Sequence, residues 1–72
     1  MKELNTKILT NREYEVFSLL IKNYTTRDIA ETLGISEKTV RNHISNVIQK
    51  LGVIGRAAAV VELLRLKEIE LD

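Results

Sequence analysis

The residues able to do chemistry in this chain concentrate in Ser36–Leu51, SEKTVRNHISNVIQKL. Taken as a helix at ~100° per residue, the stretch has two unlike faces. Val40, Ile44, Val47, Ile48 and Leu51 fall within one arc and are expected to bury. Lys38, Arg41, Asn42, Ser45 and Gln49 fall opposite, bringing an ammonium, a guanidinium, two amides and a hydroxyl. Such groups pair with base edges and phosphates. Arginine forks onto the O6 and N7 of guanine, and asparagine onto the N6 and N7 of adenine. Arg41 and Asn42 are therefore candidate base readers, and Lys38, near the helix start, is better placed for a phosphate. The plain alternative for each is a solvated side chain on an exposed face.

Other chemistries are excluded by what is missing. The chain has no cysteine and one histidine, so it offers neither a disulfide nor a metal cluster. His43, at the edge of the buried arc, reads as a packed, hydrogen-bonded histidine rather than a pH sensor. There is no Gly-rich phosphate loop and no paired nucleophile and base, so neither an enzyme nor a cofactor is expected. No apolar run reaches membrane-spanning length, and the first ten residues lack the apolar core of a signal peptide. A cytoplasmic, nucleoid-associated protein with no membrane contact is expected.

With 72 residues the chain makes one domain near the lower limit for independent folding. Stability must come from helix packing, aided by a partner subunit. The formal net charge is only +1, but it is polarised. Residues 37–51 hold Lys38, Arg41 and Lys50 against Glu37, whereas residues 53–72 hold three cations against four acids.

Four helices are expected to position these groups, over about residues 10–23, 25–33, 36–51 and 56–68, after an arm at 1–8 read either as mobile with its last part docked on the core or as disordered throughout. No stretch alternates with period two, so the fold class is all-α. Thr10 with Glu13 and Thr25 with Asp28 have capping-box spacing, and Ser36 is a third hydroxyl cap. Glu13 is read as a cap partner first, with a basic residue such as Arg56 as a further ion-pair partner. Gly34 and Gly52 offer left-handed stops. Only Ile35 separates the Gly34 stop from the Ser36 cap, which forces a steep crossing and makes helices 2 and 3 a helix-turn-helix unit. The last helix has apolar residues over roughly 220°, more than one core needs. Ala57, Val61 and Leu64 form its spare stripe, which is expected to self-associate; the alternative is cover by the arm or by helix 1.

The runs LTNREYEVFSLL and TTRDIAETLGISEKTVRNHISNVIQKLGV, followed by Arg56 and Ala59, resemble the LuxR-type helix-turn-helix family over about residues 9–65. Within it, SEKTVRNHISN and VVELLR are similar to small stand-alone regulators of spore-coat genes. The resemblance implies double-stranded DNA as partner and homodimers formed through helix 4. It implies base contacts at Arg41, Asn42 and Ser45. It implies phosphate contacts at Lys38, Thr39 and Thr25, Thr26 and Arg27, to which the outward Gln49 is added. Ser45 departs from relatives with a basic residue there, which shortens its reach. RNA polymerase is a further expected partner. Alternatives kept open are the output domain of a longer response regulator and a helical protein–protein adaptor. An adaptor should show an apolar stripe on the outside of helix 3, and that stripe is absent.

Overall fold

The computed structural model describes residues 8–71, which form four helices and no strand. These are α1 (Asn11–Leu20), α2 (Thr26–Leu33), α3 (Glu37–Leu51) and α4 (Arg56–Arg65). Most of the expected arm, residues 1–7, lies outside the described residues.

Each of the first three helices starts on a hydroxyl. The Thr10 hydroxyl accepts from the Glu13 amide while the Glu13 carboxylate accepts from the Thr10 amide, completing a capping box. Thr25 and Asp28 repeat that box, and Ser36 accepts from the Thr39 amide at 3.0 Å. These contacts satisfy backbone donors that a helix start leaves without partners. Gly34 and Gly52 close α2 and α3 in the left-handed conformation, with φ of 70° and 67°. A Cβ is strained there, so glycine sets both stops. Gly55 starts α4 with no side-chain cap, as its lack of a side chain requires.

Two helices are shorter than expected. α1 stops at Leu20, and Asn23 turns the chain left-handed at φ 73°. α4 stops at Arg65 rather than near residue 68, because Lys67 also turns left-handed at φ 61°. The Lys67 and Glu68 amides then donate to the carbonyls of Leu64 and Leu63, which satisfies the end of α4. The turn drives Ile69 into the core.

The core lies where all four helices meet, and α3 packs against each of the other three. Phe17 and Val16 from α1, Ile29 from α2, Val40 and Val47 from α3 and Leu63 from α4 are fully buried. Ile44, Ala30, Ala59 and Leu9 complete it, while Ile48 and Leu51 are only partly covered. Buried area of this kind stabilises by ~25 cal/mol per Å². The small Ala30 on α2 allows close approach to α3.

Candidate nucleic-acid interface

With Val40, Ile44 and Val47 fixed in the core, the helical period turns the rest of α3 outward. Lys38, Arg41, Asn42, Ser45 and Gln49 are all exposed. Thr39 differs: it is half-buried, and its hydroxyl shares a 2.9 Å hydrogen bond with the Ser36 hydroxyl. Glu37 and Asn46 share the exposure without having been expected among the site residues. The i, i+4 spacing from Arg41 and Asn42 is the signal that marks them. His43 is half-buried, at the edge of the buried arc where its position on the helix puts it.

The charge on this face differs from the sequence sum. Lys50, counted with Lys38 and Arg41, turns back into the molecule. Its ammonium donates to the Glu13 carboxylate and, at 2.9 Å, to the Ile8 carbonyl. Glu13, 3% exposed, thus pairs with Lys50 and not with Arg56. Burial pushes the Glu13 carboxyl up, but Lys50 and the Thr10 amide and hydroxyl together hold it below its ordinary value. Lys38 and Arg41 remain on the outer face with Glu37. Arg41 meets Glu37 at 3.4 Å in an exposed i, i+4 pair. Lys38 has no ion-pair partner among the described residues.

Thr25, Thr26 and Arg27 form the start of α2, apart from the α3 row. The Thr25 hydroxyl accepts from the Asp28 amide at 3.0 Å, and Arg27 lies 3.8 Å from Glu31. On α4, Ala57 and Val61 face outward, Val61 being 63% exposed. Leu64 is half-buried and packs on the core together with Val60. The spare stripe is therefore narrower than its sequence arc. Ala57, Val60 and Val61 line an open groove with Leu20, Ile21 and Tyr24 at the end of α1.

A short helix, the three-residue link Gly34, Ile35 and Ser36, and a second helix that buries one side and offers a polar, basic other side define a DNA-binding helix-turn-helix regulator. Comparison with known proteins gives the family. The profile of the bacterial regulatory proteins, luxR family, matches residues 7–63, and the chain belongs to that family. It is 65% identical to the spore germination protein GerE of Bacillus subtilis, over 97% of this chain and 96% of that one. It is 53% identical to the transcriptional regulatory protein DegU of Brevibacillus brevis, over 81% of this chain but 25% of DegU. The solved structure of the transcription factor GerE superposes with a TM-score of 0.90 at 63% identity, covering 93% of this chain and all of that one. The response regulator ChrA superposes at 0.80 and 34% identity, covering 94% of this chain and 33% of ChrA. The chain is a transcription regulator of the LuxR type, which removes the adaptor reading.

Proposed function

We propose that the protein is a sequence-specific regulator that binds double-stranded DNA as a homodimer and controls spore-coat genes during sporulation. The observation that carries this reading is the outward face of α3, polar along its whole length with the core directly behind it. α3 enters the major groove, where Arg41, Asn42 and Ser45 reach base edges. Lys38, Thr39 and Gln49 meet phosphates, joined by Thr25, Thr26 and Arg27 at the start of α2. These contacts hold the register while the three readers choose the sequence. The sporulation role is supported by the 65% identity to a spore germination protein.

A single reader helix covers few base pairs, so a two-fold pair of them suits a short chain. Ala57 and Val61, with Leu64 at the edge of the core, form the self-association face. The protein acts in the cytoplasm on the nucleoid, performs no catalysis, and meets RNA polymerase where it activates.

Selection of binding sites from random duplex tests this reading. It should return two related half-sites about one duplex turn apart; a pool that converges on no motif refutes sequence-specific binding. Val61→Glu should convert the dimer to a monomer by sedimentation, with operator affinity falling on the order of a hundredfold. A full dimer would exclude this face. Val61 is a cleaner probe than Leu64, because a charge at the half-buried Leu64 would also disturb the core.

A further inference from the structure

Glu37 is the one acidic side chain on α3, and it stands among the candidate readers. Glu37, Arg41, Ser45 and Gln49 recur every four residues, which sets them in one row along the helix, and all four are exposed. The Glu37 carboxylate lies 3.4 Å from the Arg41 guanidinium. On this face a carboxylate lowers affinity for every duplex, because the phosphates that attract Lys38 and Arg41 repel it. What it contributes to binding is therefore a difference between sequences.

The major groove offers an acceptor-only group two kinds of donor, the amines of cytosine N4 and adenine N6. The O6 and N7 of guanine and the O4 of thymine repel it. Glutamate pairs with cytosine in particular. Four residues, ~6 Å of helix rise, separate Glu37 from Arg41, but their charged ends lie 3.4 Å apart, close to the ~3.4 Å between stacked base pairs. The two side chains thus reach neighbouring base pairs. We infer that Glu37 is a specificity-determining residue: on docking it leaves Arg41, accepts from a cytosine amine next to the guanine that Arg41 takes, and penalises duplexes lacking that amine. This rests on the base-reading role proposed for Arg41. On the matching site each member of the ion pair exchanges one partner for another. On a mismatched site both lose a partner. An exposed i, i+4 pair is weak, so the exchange costs little.

The test uses the full chain as wild type, Glu37→Ala, Arg41→Ala and the double variant. Each is titrated at one salt concentration on the duplex selected by the wild type and on a mixed-sequence duplex, with melting temperatures in parallel. Glu37→Ala should bind the mixed duplex more tightly and lower the selected-to-mixed affinity ratio about tenfold. Sites selected by Glu37→Ala should lose cytosine at one position and keep the adjacent guanine. An unchanged ratio with a lowered melting temperature would leave Glu37 as a first-turn acid that stabilises α3, and overturns the inference. A change in ratio that vanishes in the Arg41→Ala background makes Glu37 only a positioner of Arg41, and overturns it too. Failure of the Arg41 reading is separately visible, as an equal loss on every duplex with Arg41→Ala. Loss or retention of cytosine in the Glu37→Ala selection decides the role of Glu37 in either case.

Discussion

Helix α3 carries an ion pair near each end, and the two differ in nearly everything except formal charge. Near its C-terminal end Lys50 meets a buried Glu13 that also caps α1, and the same ammonium holds the Ile8 carbonyl. Near its N-terminal end Arg41 meets an exposed Glu37 one turn away, with about half of each side chain in solvent. The first pair joins the end of α3 to the stretch from Ile8 to Glu13, at sequence separations of 42 and 37 residues. Removing Lys50 leaves the buried Glu13 carboxylate without its cation, which costs about 3 kcal/mol. The second pair is screened, and pairs of its kind contribute about 0.3–0.5 kcal/mol. A recognition helix benefits from this asymmetry. One end must be held in place so that the other can exchange partners with a ligand.

The largest expected effect tests the held end. Lys50→Met should destabilise the fold by about 3 kcal/mol, lowering the melting temperature by ~15 °C in calorimetry. A loss below about 1 kcal/mol would make the two pairs equivalent. Arg41→Ala should reverse the pattern. Stability should change by less than about 0.5 kcal/mol, while affinity for the selected site falls by about 1–3 kcal/mol and preference relaxes at one base pair. Equal loss on all duplexes would move Arg41 to the phosphate contacts.

Acid separates the pairs more gently. The folded Glu13 carboxyl is held below its ordinary value of 4.5. Its contribution is therefore fully present above that value and is lost as pH falls through the lowered one. Denaturant titrations should show unfolding free energy flat from neutrality to about pH 5 and falling below that. In Lys50→Met the partner is gone and burial remains, so the acid-dependent loss of stability should shrink or reverse. A loss of the same size in both proteins would disconnect Lys50 from the acid response. The smallest effect concerns the unpaired cation of the outer face. Lys38→Ala should reduce the slope of log affinity against log salt by about one, and an unchanged slope would remove it from the phosphate contacts.

The helix starts were legible because their signals are local. Thr10 and Glu13, or Thr25 and Asp28, lie three residues apart and need nothing else to form a box. Gly34 and Gly52 announce their stops by residue type. The stop of α4 falls at a left-handed Lys67, and no residue type marks it. Glu13 was legible as a cap and not as the partner of Lys50, which lies 37 residues away. Lys50 entered only the charge sum of residues 37–51, and such a sum does not give the route of a four-carbon side chain. Leu64 was read as spare surface since nothing in α4 alone tells how far the core reaches. The exposed row of α3 followed from period alone, whereas the contact between Glu37 and Arg41 came from the structure.

The hold on Ile8 has a consequence for what this position tolerates. The Glu68 carboxylate accepts from the Ile8 amide at 3.2 Å while Lys50 donates to the Ile8 carbonyl, so the chain is gripped there by its peptide groups. Those contacts are blind to the side chain. Position 8 should accept substitution broadly, apart from what its half-buried side chain packs against, with proline as the exception. Proline has no amide hydrogen to offer, and it would leave Glu68 facing a ring.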